Sequence, residues 1–246
     1  MNKKKASLKK RIYSNWCYIW LILPGLTVLP FQLIFLLSKK TYYVAHQLYR
    51  VWAWIMLPMC FLPVSVENHN RKLPKNAVYC ANHASYLDIP TLFRCIPGFF
   101  SIVGKKEVSK MPIIGYVFKH LYINVDRSSS ESRRQTIINC KKTLKSGRPL
   151  VLFPEGRINA DVSPNLSPFQ DGAFILAIEQ QLPLIPVTIP YNWIILPGAQ
   201  RYLTQGRIKA IIHEPIETKG MTMVDVPKLK ADVFKIIETE LKKYNS

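Results

Sequence analysis

The pattern of apolar and polar positions divides this chain into two textures. From Ile12 to Ser38 no residue is charged, and the core WCYIWLILPGLTVLPFQLIFLL at 16–37 is almost wholly apolar. Crossing a bilayer takes about 20 such residues, so the run is long enough to span one. It is too long for the core of a signal peptide, and no small-residue cleavage site follows it. Trp16, Tyr18 and Trp20 suit the interfacial belt where amphipathic rings settle. A second run, VWAWIMLPMCFLPVSV at 51–66, is shorter and broken by Pro58 and Pro63. Lys39, Lys40 and Arg50 lie between the two. If both runs spanned, these cations would sit on the far side, against the tendency of Lys and Arg to stay on the cytoplasmic side. The pattern therefore predicts a hairpin embedded in one leaflet, or one span with an interfacial helix. Residues 1–66 form this membrane-anchoring unit, and residues 67–246 form a second domain.

In that second domain strand-like and helix-like segments alternate. Strands are predicted at 77–81, 99–103, 121–125, 149–153, 184–189 and 207–213. Ser130 is placed to cap a helix over 131–146 with Ile137, Ile138 and Leu144 on its inner face and Gly147 at its end. Further helices fit 172–181 and 226–244, the last turning Val233, Ile236, Ile237 and Leu241 inward. Strands alternating with helices predict an α/β domain, a mainly parallel sheet flanked by helices, behind an N-terminal membrane-embedded helical segment.

Composition narrows the function classes. At 48% hydrophobic the chain is not globally disordered. Lys and Arg number 34 against 15 Asp and Glu, a formal charge of +19, and such a field draws polyanions. The apolar run and its flank of Lys3, Lys4, Lys5, Lys9, Lys10 and Arg11 point that charge at anionic membrane lipid rather than nucleic acid. Cys17, Cys60, Cys80, Cys95 and Cys140 are odd in number, lack zinc-type spacing and have apolar neighbours, which reads as buried free thiols in a reducing compartment. No metal centre and no cofactor are predicted.

In open α/β sheets ligands sit beyond the carboxyl ends of the strands. Asn82 and His83 follow the strand at 77–81, Asp126 and Arg127 follow 121–125, and Pro154, Glu155, Gly156 and Arg157 follow 149–153. His83 and Asp88 are five residues apart, which on one regular helix turns them about 140° from each other. They meet only if His83 lies in a turn before the helix, with Ser85 as N-cap and Asp88 in the first turn. The carboxylate then fixes the imidazole tautomer. Taken alone, this spacing fits a satisfied structural histidine equally well.

The stretch NHASYLD at 82–88 resembles the Asn-His-x-Ser-x-x-Asp motif of the glycerolipid acyltransferase superfamily, and within it the 1-acylglycerol-3-phosphate acyltransferases. The resemblance continues through Lys106-Glu107, Pro112, Gly115 and Asp126-Arg127, through FPEG at 153–156, through PFQDGA at 168–173, and through Pro186 between Ile185 and Val187. One departure stands out. The family pattern runs Phe-Pro-Glu-Gly-Thr-Arg, whereas here Arg157, Ile158 and Asn159 follow Gly156.

The resemblance implies transfer of a fatty acyl group from acyl-coenzyme A or acyl-carrier protein to the free hydroxyl of lysophosphatidic acid, giving phosphatidic acid. It implies a location at the cell membrane with the catalytic domain on the cytoplasmic side. His83 would be the base and Asp88 its partner. Asn82, Ser85, Lys105, Lys106, Arg127, Glu155, Gly156, Arg157 and Pro186 would line the substrate site. Among the cations Arg127 is favoured over Arg157 for the phosphate, because its motif is intact. Donors near the first motif, or backbone N–H groups at the helix start, would stabilise the oxyanion. The competing readings are an acyltransferase for another lysophospholipid or a lyso-aminolipid, a lipid hydrolase using the same His-Asp pair, and a non-enzymatic binder of anionic surfaces.

Overall fold

Short, fully apolar segments pair side by side because strands covered on both faces need no polar alternation. In the computed structural model, which describes residues 7–68, 72–106, 114–125, 129–198 and 200–244, they form a seven-stranded sheet in the order β1-β7-β6-β2-β5-β3-β4. The strands are β1 (Val64–Asn68), β2 (Val78–Ala81), β3 (Ser101–Lys105), β4 (Ile123–Val125), β5 (Leu150–Leu152), β6 (Leu184–Thr188) and β7 (Ile208–Ile212). Every pairing is parallel except β6 with β7. The six predicted strands are all present. The sequence reading missed β1, an edge strand that pairs in parallel with β7. Most of its side chains are exposed, so it has no apolar face to mark it. It runs through residue 66, where the boundary between the two units was expected.

The helices are α1 (Leu8–Phe35), α2 (Tyr42–Met59), α3 (Asp88–Cys95), α4 (Ile114–Leu121), α5 (Ser130–Lys145), α6 (Gly172–Glu179), α7 (Asn192–Ile195) and α8 (Val226–Tyr244). Alternate residues of β2 feed two cores. Tyr79 and Ala81 pack with Phe93 of α3, Val117 of α4 and Ala53 of α2 on one side. Val78 and Cys80 pack with Leu144 of α5, Phe174 of α6 and Val233 of α8 on the other. All five cysteines are buried and free.

Two local expectations are corrected. Ser129, not Ser130, caps α5, its Oγ accepting from Ser132 N at 3.1 Å. The inner face of α5 is Thr136, Cys140, Thr143 and Leu144, while Ile137 and Ile138 are exposed. The helix presents the i, i+4, i+7, i+8 row to the sheet, and the two isoleucines lie outside that row.

The N-terminal unit is a helical hairpin docked on the domain. α1 is the one described helix long and apolar enough to cross a membrane, and little of it is buried. α2 starts nine residues before the apolar run at 51 and buries Ala45, His46, Ala53, Met56 and Leu57. Aromatic donors join the two helices. Trp52 Nε1 donates to Leu21 O at 3.0 Å, while Tyr13 Oη and Trp16 Nε1 donate to Cys60 O and Met59 O at 2.8 and 2.7 Å. The last two satisfy carbonyls that the end of α2 leaves without helical partners. The outer face keeps Ile19, Ile22, Leu26, Phe31, Trp54 and Ile55 exposed.

Candidate active site

Because β5, β2 and β6 are neighbours and parallel, their carboxyl ends deliver three loops to one edge of the sheet. β2 delivers Asn82 and His83, β5 delivers Phe153 to Arg157, and β6 delivers Ile189 to Asn192. His83 lies in the turn before α3, and Asp88 is the first residue of that helix. His83 Nδ1 is 2.8 Å from Asp88 Oδ2, with the imidazole 14% exposed and the carboxylate 1%. The same oxygen accepts from Ala84 N and Ser85 N at 2.9 Å each. A carboxylate oxygen so placed accepts only, so the imidazole carries its hydrogen on Nδ1 and keeps a lone pair on Nε2. The ring stacks on Phe153, centroids 3.9 Å apart.

Several residues expected around a substrate instead hold this loop. Asn82 grips the exit of β6, its Oδ1 accepting from Ile189 N at 2.8 Å and its Nδ2 donating to Ile189 O at 3.0 Å. Ser85 is fully buried. Its hydroxyl donates to Leu196 O at 2.6 Å and accepts from Leu87 N at 3.1 Å, and it makes no side-chain cap. The turn carries the chain past Ser85 before α3 begins. Pro186 lies in the middle of β6, and its carbonyl accepts from His213 N at 3.0 Å. Pro186 sits one residue outside the β6–β7 ladder, which pairs Val187 with Ile212.

Glu155 is buried and fixes the backbone of the base. Its Oε1 accepts from His83 N at 2.9 Å, and its Oε2 accepts from Ser167 N at 2.9 Å and Asn159 Nδ2 at 3.0 Å. Burial raises its pKa, and the three donors and the nearby imidazole offset part of that rise. Gly156 has φ of 76°, the left-handed region that glycine enters freely. That turn lets Asn159 return to the base, its N–H donating to His83 O at 2.8 Å. Arg157 is exposed, and its Nε donates to Asn159 Oδ1 at 2.7 Å. Lys105 and Lys106 are exposed at the end of β3. Asp126, Arg127, Glu107 and Pro112 lie outside the described residues.

Part of the expected set of oxyanion donors is already engaged. The N–H groups of His83, Ala84, Ser85 and Leu87 are already committed to Glu155, Asp88 and Ser85 Oγ. Two contributors escaped the sequence reading. Asn159 ties Glu155, Arg157 and His83 together, and Asn192 reaches Asp88 from the exit of β6. The one available signal was their type and place, polar amides just past the carboxyl ends of strands. Among the described residues no three His, Cys, Asp or Glu side chains converge to hold a metal ion.

An apolar cavity of about 140 Å³ adjoins this loop, between the hairpin and the start of α3. Leu21, Trp52, Met56, Leu87, Pro90 and Leu196 line it.

Residues 63–190 match the model of the family described as Acyltransferase. The chain is 29% identical over 203 residues to 1-acyl-sn-glycerol-3-phosphate acyltransferase BAT2, chloroplastic, of Brassica napus, covering 80% of this chain and 57% of that protein. It is 30% identical over 192 residues to the LPAT1, chloroplastic, enzyme of Arabidopsis thaliana, covering 76% and 52%. The chain thus spans about half the length of these curated relatives. The crystal structure of the 1-acyl-sn-glycerophosphate (LPA) acyltransferase PlsC from Thermotoga maritima superimposes with a TM-score of 0.79 over 97% of both chains at 20% identity, a likeness of fold. The paired His83 and Asp88, the motifs around them and a family match over just over half of the chain lead to one conclusion: the chain belongs to the acyltransferase family, in the company of the 1-acylglycerol-3-phosphate acyltransferases.

Proposed function

We propose that the protein is a membrane-bound acyltransferase that moves a fatty acyl group from a thioester to the free hydroxyl of 1-acylglycerol-3-phosphate, giving phosphatidic acid. The observation that carries this reading is the His83–Asp88 pair at 2.8 Å. An alcohol attacks an acyl carbon only as its proton leaves. His83 Nε2 takes that proton, and Asp88 stabilises the imidazolium. The hydroxyl oxygen bonds to the thioester carbon, the C–S bond breaks, and the imidazolium returns the proton to the departing thiolate. A thiolate whose thiol has an ordinary pKa of about 8.5 needs little further assistance. The apolar cavity beside Leu87 has room for part of an acyl chain. The relatives named for the same reaction support the acceptor.

The remaining assignments belong to this reading. Arg127, Arg157, Lys105 and Lys106 supply the positive edge that a phosphomonoester needs. The exposed apolar face of α1 rests in the membrane, with the basic N-terminal flank on anionic headgroups and residues 67–246 as the acyltransferase domain on the cytoplasmic side. The donor is acyl-coenzyme A or acyl-carrier protein. The purified full chain is tested with both thioester types and a panel of lysolipids, with products identified by mass spectrometry. Phosphatidic acid formed from lysophosphatidic acid supports the proposal. A diacylated product from another lysolipid alone moves the acceptor, and free fatty acid without acyl transfer replaces the proposal with hydrolysis.

A further inference from the structure

Asn192 lies 104 residues after Asp88, yet its side chain completes the surroundings of that carboxylate. It is fully buried. Its Nδ2 donates to Asp88 Oδ1 at 2.9 Å and to Thr91 Oγ1 at 3.0 Å. Thr91 Oγ1 in turn donates to Leu87 O at 2.7 Å, so the threonine hydrogen is already taken and its oxygen is left to accept. The orientation of the amide follows from this. Turned over, it would set its carbonyl oxygen against a carboxylate oxygen and a hydroxyl that has no hydrogen to offer. The amide Oδ1 itself has no hydrogen-bond partner among the described residues. Leaving a buried acceptor unpaired is unfavourable, and a leucine of similar volume would avoid that cost. A leucine cannot donate to Asp88.

The segment that carries Asn192 is clamped on both sides to the loop that carries His83. Asn82 holds Ile189 just before it by two hydrogen bonds, and Ser85 Oγ holds Leu196 O just after it. These clamps bring the amide to the one carboxylate oxygen that His83 does not use. Oδ2 faces His83, Ala84 N and Ser85 N, and Oδ1 faces Asn192. A carboxylate fixed at both oxygens cannot rotate, so the direction of its bond to the imidazole is set before any substrate arrives.

We propose that Asn192 is a positioning residue that acts through Asp88 on His83, making a relay of three side chains, His83–Asp88–Asn192. This rests on the reading of His83 as the base. The test uses the chain in lipid nanodiscs and pairs kinetics with the NMR resonance of the His83 Nδ1–H proton, assigned from a His83→Ala sample. Asn192→Leu is expected to lower kcat by about 10- to 100-fold, a share of the range for general-base catalysis, with KM for either substrate moving less than about threefold. In an Asp88→Asn background the same change is expected to cost less than about twofold, because residues that act as one unit are not additive. With one donor gone, Asp88 is no longer held at both oxygens, and the His83 Nδ1–H resonance, which reports its bond to Oδ2, is expected to shift. Asn192→Ala, which also removes the donor to Asp88, keeps the test decisive if the leucine variant unfolds. Asn192→Asp is the conservative control: a second buried carboxyl 2.9 Å from Asp88 stays protonated, since two like charges that close do not both ionise, so it donates in place of the amide and is expected to restore most of the turnover that the leucine variant loses.

A His83 Nδ1–H resonance unmoved in folded Asn192→Leu or Asn192→Ala overturns the proposal. So does a loss of kcat that is undiminished in the Asp88→Asn background, since that marks a role in packing alone. The NMR arm does not depend on the reaction. If His83→Ala keeps its turnover, the base assignment fails, while the Nδ1–H resonance still decides whether Asn192 acts on His83.

Discussion

The backbone N–H of His83 donates to Glu155 Oε1 at 2.9 Å across 72 residues of sequence. That bond joins the exits of two adjacent parallel strands, β2 and β5, and fixes the backbone beneath the imidazole. Asp88 fixes the ring above it. The proposed base is thus held at its main chain and at its side chain by two different carboxylates, with Phe153 from the Glu155 loop against one face of the ring.

Glu155 accepts from three N–H groups, and an amide cannot do so without turning its own hydrogens toward one of them. Glu155→Gln is expected to lose about 1–3 kcal/mol of stability, the cost of leaving one of these buried donors unsatisfied. The loss has a pH signature. Burial raises the folded-state pKa of Glu155, so the folded protein holds this proton to a higher pH than the unfolded chain does. The cost of ionising it is absent below the unfolded value of about 4.3 and complete above the folded value. The melting temperature of wild type minus that of Glu155→Gln should fall as pH rises above about 4. A difference that grows with pH contradicts the burial of this carboxylate.

Arg157 has its Nε engaged by Asn159, which leaves the outer edge of the guanidinium to meet a phosphate. Arg127, the other cation of the expected motif, lies outside the described residues. Both Arg127→Ala and Arg157→Ala should raise KM for lysophosphatidic acid. The larger effect is expected for Arg127→Ala, corresponding to about 1.5–3 kcal/mol. Kinetics on lysophosphatidic acid and on a neutral lysolipid check this. If Arg157→Ala alone removes the preference for the phosphorylated acceptor, the ranking is reversed. If neither changes it, the acceptor is not a phosphomonoester.

What could be read from the sequence was local. The strands at 78–81 and 150–152 declare themselves as apolar runs followed by polar residues, and His83, Asp88 and Glu155 lie in the segments just beyond them. The spacing of His83 and Asp88 showed that they meet only across a turn, and they do. The partners of those residues were not legible, because they arrive from other strands. Asn192, Asn159 and Ile189 are far from His83 in the chain, and no periodicity links them to it. For the same reason Asn82 and Ser85 read as substrate contacts, whereas their side chains bond to the β6 segment. β1 escaped because an exposed edge strand has no apolar stripe, and α2 escaped in part because the residues it buries include His46.

The docking of α2 changes how the membrane role is tested. Removing residues 1–62 would uncover the Phe93 and Phe100 side of the core, so a truncated chain should aggregate whatever its affinity for lipid. Charging the outer face of α1 avoids this. Ile19, Ile22 and Leu26 are more than half exposed and share one face. Ile19→Lys, Ile22→Lys and Leu26→Lys together should keep the fold and lose co-flotation with anionic liposomes, since a lysine at the centre of a bilayer costs about 2.5–3.5 kcal/mol. A folded triple variant that floats as fully as wild type shows that this face is not the anchor.

The central claim is that His83, held by Asp88, takes the proton of the acceptor hydroxyl. The most direct measurement is the turnover of folded, liposome-bound His83→Ala with lysophosphatidic acid and a thioester donor, beside Asp88→Asn under the same conditions. A drop of about two to four orders of magnitude for His83→Ala, with Asp88→Asn nearly as low and its KM values little changed, is the predicted result. Near-normal turnover in a folded His83→Ala protein contradicts the account.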